Sequence, residues 1–116
     1  MSRPEIGAGD IVIELDGEEV TLRPTLKAAT SLSRGYGGIV NLINKCGVYD
    51  FDTIVAVVTA GIGVQSKDIP DKCWRTGMIE LAPMCIRYLH VLANGGRAPT
   101  EEGSDDKAPL TETSSQ

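Results

Sequence analysis

Residues 10–34 read DIVIELDGEEVTLRPTLKAATSLSR, and the fold follows from how this stretch is parsed. Ile11, Ile13 and Leu15 alternate with Val12 and Glu14, which is the period of a strand. Asp16-Gly17 is a hairpin turn signal, because Gly takes positive φ without steric cost. A two-residue loop would pair Leu15 with Glu18, Ile13 with Val20 and Ile11 with Leu22. A four-residue loop, Asp16 to Glu19, would pair Leu15 with Val20 and Ile13 with Leu22. Either register gathers the apolar residues on one face. Pro24-Thr25 stops the second strand, and Thr25 is placed to cap a following helix. A lone hairpin is marginal in water and needs a helical cover for its apolar face.

The rest of the chain supplies helices. Leu26, Ala29, Leu32 and Tyr36 lie along one face of the first, which Gly35 and the pair Gly37-Gly38 are expected to end. Ile39, Leu42, Ile43 and Cys46 stand at i, i+3, i+4 and i+7, the amphipathic helix pattern, with Gly47 as its stop. The run from Thr53 to Gly61 is β-branched and suits a buried strand or a buried helix. Helix is preferred, because a central strand needs partners that the chain does not offer, and because Asp50 or Asp52 can cap it. Gly61 to Val64 reads as a loop. Asp68 and Pro70 read as the cap and first turn of a short helix through Trp74 and Arg75, broken by Gly77. The last helix starts near Ile79 or Leu81 and runs to Ala93, with Leu81, Cys85, Tyr88, Leu89 and Leu92 as its apolar stripe. Pro83 must fall in its first turns or kink it. Asn94-Gly95-Gly96 closes it.

The expected architecture is α+β and mostly α: an N-terminal hairpin packed on a compact bundle of four to five short helices. Residues 1–9 form a flexible lead-in. Residues 10–96 form one globular domain, with the hairpin over 10–23 and helices over 25–95. Residues 97–116 turn to Pro, Thr, Glu, Ser, Asp and Gly with Leu110 as their one large apolar residue, and are expected to be a disordered acidic tail. With 116 residues, a core is attainable without metal or disulfide support. One Phe, one Trp and three Tyr leave that core to aliphatic side chains.

Net charge is −5, which disfavours nucleic acid as the main partner. Residues 97–116 set two cations against five carboxylates, a net −3, which leaves −2 for residues 1–96. Cys46, Cys73 and Cys85 are odd in number and widely spaced, and the opening residues Met1 to Gly7 lack the apolar run of a signal peptide. Reduced thiols in a cytoplasm are therefore expected. No apolar run approaches the length of a membrane span.

Candidate chemistry is sparse. Cys85 and His90 stand at i and i+5, a poor spacing for shared metal coordination, and no CxxC or HxxxH exists. Cys46 and Cys85 read as small core residues, and His90 as a surface or boundary residue. Gly61-x-Gly63 with Ser66-Lys67 does not match a phosphate-loop spacing; helix termination and a connector explain these glycines better. Asp50 and Asp52 could be a carboxylate pair, but a cap accounts for one of them. Arg23, Lys27 and Arg34 form an ordinary solvated basic strip. Trp74, among Asp71, Lys72, Arg75 and Thr76, reads either as a partner contact or, preferably, as an anchor to a core short of large residues. No catalytic residue, cofactor site or metal site is assigned.

Taken in order, the Ile-Val-Ile-Glu-Leu-Asp-Gly hairpin, the Leu-Arg-Pro-Thr-Leu-Lys-Ala-Ala helix start, the Gly-Gly-Ile-Val helix, Phe-Asp-Thr-Ile-Val-Ala-Val-Val-Thr-Ala-Gly and the final Tyr-Leu-His-Val-Leu-Ala-Asn-Gly-Gly resemble the tail assembly chaperones of long-tailed bacteriophages and gene transfer agents. The resemblance spans about residues 9–96 and lies in element order and apolar positions. It implies a non-enzymatic assembly factor of the bacterial host cytoplasm, absent from the mature particle. Its partners would be the tape measure protein and the tail tube protein, with neither nucleic acid nor membrane. An exposed edge strand also permits self-association. The alternative is a structural minor tail or head–tail connector component of a phage or prophage particle. A helix–turn–helix DNA-binding domain would need a recognition helix rich in Arg, Asn or Gln, which the chain lacks. Leu26, Ala29, Tyr36 and Trp74 are the candidate partner-binding residues, on a groove between helices.

Overall fold

The structure is a computed structural model and describes residues 9–97. The tail expected over 97–116 falls, Arg97 apart, outside the described residues, as does the lead-in apart from Gly9. The element order is β1 (Ile11–Leu15), β2 (Glu18–Leu22), α1 (Leu26–Tyr36), α2 (Ile39–Gly47), α3 (Phe51–Ile62), α4 (Asp68–Thr76) and α5 (Met78–Ala93). The hairpin with a helical bundle is as expected.

The strands pair antiparallel in the two-residue register, with Ile11 opposite Leu22, Ile13 opposite Val20 and Leu15 opposite Glu18. Asp16 and Gly17 have φ of 53° and 85°. Two positive φ angles make the turn whose twist matches that of its strands, and Asp and Gly are residues that tolerate them. The turn is clipped to α4. The Asp16 N–H donates to Thr76 Oγ1 at 2.7 Å, Lys72 Nζ lies 2.9 Å from Glu18 Oε1, and Arg75 Nε lies 3.5 Å from Asp16 Oδ2. Arg75 also pairs with Asp71 one turn earlier.

Ile11, Ile13, Leu15 and Leu22 are buried on the inner face of the hairpin. They close on α3, α4 and α5, and α5 in turn packs on α2, α3 and α4. The predicted stripe of α5, Leu81, Cys85, Tyr88, Leu89 and Leu92, is buried throughout. Tyr88 is enclosed completely, and its hydroxyl donates to the Arg23 carbonyl at 2.6 Å. That bond satisfies the polar end of an otherwise apolar anchor. Pro83 is the sixth residue of α5 and exposed, so its missing N–H falls on the solvent side of the second turn.

Thr25 caps α1 as expected, its side chain accepting the Ala28 N–H at 3.0 Å. Gly37, left-handed at φ 78°, ends the helix, whereas Gly35 stays inside it. The β-branched run is helical. Ile54, Val57, Val58 and Gly61, at i, i+3, i+4 and i+7, form its buried stripe. Asp50 caps it, accepting the Thr53 N–H at 3.1 Å as well as the Thr53 hydroxyl.

Three local expectations are corrected. Gly61 and Ile62 belong to α3 rather than to a loop, which ends at Gly63 with φ 92°. The reason is packing: a Cβ on Gly61 would lie 2.8 Å from Leu22 Cβ, and the Gly61 carbonyl accepts the Arg23 N–H at 2.8 Å. Asp68 is inside α4 and does not cap it; Ser66 Oγ accepts the Asp68 N–H at 3.2 Å instead. Gly9 is buried against α5 and Gly96, where a side chain would collide with the Gly96 carbonyl oxygen. It therefore belongs to the folded unit rather than to a lead-in.

Candidate partner-binding surface

α1 crosses α3 with small side chains on both sides of the seam. Ala28 and Leu32 of α1 are buried there, while Val55, Ala56 and Ala60 of α3 are half-buried. Side chains this short leave a furrow between the two helix backbones. It encloses about 540 Å³, and Tyr36 also lines it. Lys27, Ser31, Asp52, Thr59 and Gln65 supply its polar lining. The furrow thus has an apolar base, polar groups around it, and one cation and one carboxylate.

The four candidate residues do not converge. Tyr36 lines the furrow. Ala29 faces the other side of α1, over a small hollow of about 230 Å³ shared with Pro24, Leu92 and Gly96. Leu26 is 84% exposed and stands on the outer face with Lys27, Thr30 and Arg34. The buried edge of α1 is therefore rotated from the predicted stripe toward Ala28, because α3 covers that side.

Trp74 lies on α4, outside the furrow, and is 66% exposed. This corrects its reading as a core anchor. Ile69 and Cys73, four apart, are the residues that α4 buries. The side chain next to Cys73 on a helix points well away from that face. The Trp74 ring meets the edge of Phe51 at a centroid distance of 6.2 Å and 89°. Val48 and Tyr49, both exposed, precede Phe51 by three and two residues.

The α3 side of the furrow was missed in the sequence. Its signal was present: Ala56 and Ala60 stand at i and i+4, opposite the valines that fill the core. The basic strip is also narrower than it reads. Arg23 is engaged with Asp10 at 3.1 Å, which leaves Lys27 and Arg34.

Cys46, Cys73 and Cys85 are free and buried. Burial pushes the Cys73 thiol up to about 11. The hydrogen bond to Cys46, with burial, also raises Cys85, and the same bond holds Cys46 down. All three are closed to solvent, so none is a ready nucleophile. His90 is exposed, as expected. Among the described residues no three His, Cys, Asp or Glu side chains group to hold a metal ion. No helix there is long and apolar enough to cross a membrane. Asp50 is occupied as a cap, and Gly61, buried on Leu22, is unavailable to cradle a phosphate. Compared with protein-family models, curated proteins and solved structures, the chain matches none.

Proposed function

We propose that this chain is a non-enzymatic assembly chaperone of the phage-tail type, which holds an apolar helical stripe of a tape measure protein and releases it as tail tube subunits close around it. The furrow between α1 and α3 carries this reading. An amphipathic helix docks by laying a ridge of apolar side chains into such a groove, read as anchors at i, i+3, i+4 and i+7. The apolar base of Ala28, Leu32, Val55, Ala56 and Ala60 suits that ridge, and the polar groups around it suit the flanks of a client helix. Apolar contact without a deep pocket gives the modest affinity that displacement by tube subunits requires. The resemblance in element order over residues 9–96 supports the same class.

The test is co-expression of the full chain with the long helix-rich protein encoded beside it, followed by affinity capture and mass spectrometry. Capture of that protein by the wild type, and its loss in Ala56→Leu at an unchanged melting temperature, is the expected result. Ala56 is chosen because a larger side chain there fills the furrow without entering the buried stripe. Recovery of the chain alone, or its presence in purified particles as a stoichiometric component, would replace this reading with a structural one.

A further inference from the structure

The outer face of α1 is cationic and has no acidic counterpart of its own. The helix reads LKAATSLSRGY, with Lys27 and Arg34 and no carboxylate. Both cations are exposed, and among the described residues neither stands in an ion pair, whereas Arg23, Lys72 and Arg75 all do. Between them lie the hydroxyls of Thr30 and Ser31, in a shallow hollow on the same face. Seven residues of helix set the two cations about 10.5 Å apart along the axis.

The chain beyond Arg97 leaves the domain beside the start of this helix. Gly95 and Gly96 share a hollow with Pro24, Thr25 and Leu26, and a side chain on Gly96 would lie 3.2 Å from the Pro24 carbonyl oxygen. The nineteen residues that follow, 98–116, carry five carboxylates against Lys107 alone, a net −4. Four of the five come as two pairs, Glu101-Glu102 and Asp105-Asp106. The pairs repeat every four residues, which in extended chain is about 13 Å. That is close to the spacing of the two cations. Glu101 is four residues past Arg97, a reach of about 13 Å from an exit that already borders Leu26.

We propose that residues 98–116 fold back along the outer face of α1, with Glu101-Glu102 against Lys27 and Asp105-Asp106 against Arg34. Thr30 and Ser31 offer hydroxyl donors to the intervening carboxylates and carbonyls. Ion pairs at a surface are individually weak and screened by salt. Here the covalent link compensates, because a short tether sets an effective concentration on the order of millimolar. The docked segment is therefore in exchange, and salt releases it. Lys27 and Ser31 also line the α1–α3 furrow.

A nitroxide at Ser104→Cys, between the two acidic pairs, tests this in the full chain. The native cysteines are buried, so the label goes to position 104. At low ionic strength the amide signals of residues 26–35 should be broadened more strongly than those of α4. Raising the salt to about 0.5 M, where the screening length falls below ~5 Å, should restore them. Lys27→Gln/Arg34→Gln should restore them at low salt as well, and both sites are exposed, so the fold is retained. Signals of α1 that stay sharp, or broadening that is even across the domain, would overturn the proposal. So would broadening seen only when isotope-labelled chains without the nitroxide are mixed with labelled copies, since that outcome assigns the contact to a second molecule.

Discussion

The carbonyl of Gly61 accepts the backbone N–H of Arg23, and the side chain that Gly61 lacks is the space that Leu22 fills. The end of the hairpin and the last turn of α3 are thereby joined twice, by the Arg23 hydrogen bond and by the packing of Leu22 on the Gly61 backbone. Gly61→Ala would push a methyl group to within 2.8 Å of Leu22 Cβ and Cδ2. Overpacking of a fully buried site costs about 1–3 kcal/mol. Urea denaturation should record a loss of that size, with the midpoint falling and the slope unchanged.

Tyr88 ties the same residue, Arg23, to a second helix, α5. Its hydroxyl is held by the Arg23 carbonyl at 2.6 Å, and burial raises its phenol above the ordinary value, with a smaller contribution from Asp10. Tyr88→Phe leaves the carbonyl without that donor and should cost about 1–3 kcal/mol. The raised value also sets an alkaline limit. An acid that ionises less readily folded than unfolded contributes stability below its unfolded value, here near 10, and that contribution is lost as pH rises beyond it. Thermal melts from pH 9 upward should show a decline that Tyr88→Phe reduces.

Asp50 sets the acid side. The Thr53 hydroxyl, and then the Thr53 N–H, hold its carboxyl below the ordinary value of 3.8. A depressed carboxyl contributes stability that is complete above the unfolded value and is lost as pH falls through the lower folded one. Asp50→Ala should lower the melting temperature at neutral pH. The gap between variant and wild type should shrink as pH falls below 3.8.

Trp74 is the sole tryptophan and 66% exposed, so its fluorescence should be readily quenched by iodide in the native protein. Trp74→Ala loses mainly the edge contact to Phe51, a pair of the kind worth about 0.5–1.5 kcal/mol. A larger loss of stability, or a native emission shielded from iodide, would return Trp74 to the core.

What could be read from the sequence is what is decided locally. The Asp16-Gly17 turn, the Thr25 and Asp50 caps and the stripe of α5 each depend on residues within a few positions of one another. The sequence left two registers open, and the structure selects the two-residue one. Apart from the start of α4, where Ser66 rather than Asp68 meets the backbone two residues away, the errors concern a partner distant in the chain. Whether α1 buries Leu26 or Ala28 is decided by α3, some 25 residues away, which packs on the Ala28 and Leu32 side. Gly61 resembles a loop residue until Leu22 is placed against it. Trp74 has the size of a core residue, but Cys73 and Ile69 already occupy the inner face of its helix. The furrow was half visible, through Tyr36; its other half required Ala56 and Ala60 to be read as the uncovered edge of a helix that is otherwise core.

The contact of Gly9 with Gly96 makes the described fold a closed circuit, since the two ends of the domain touch. Joining them through a short linker would complete a ring whose new opening can be cut anywhere exposed, such as the Gly63–Lys67 connection between α3 and α4. Such a permuted chain should keep the same seven elements in the same places. By the same geometry the whole unit can be spliced into a surface loop of a host protein, entering and leaving at one point, so that its attachment demands almost no separation from the loop that carries it.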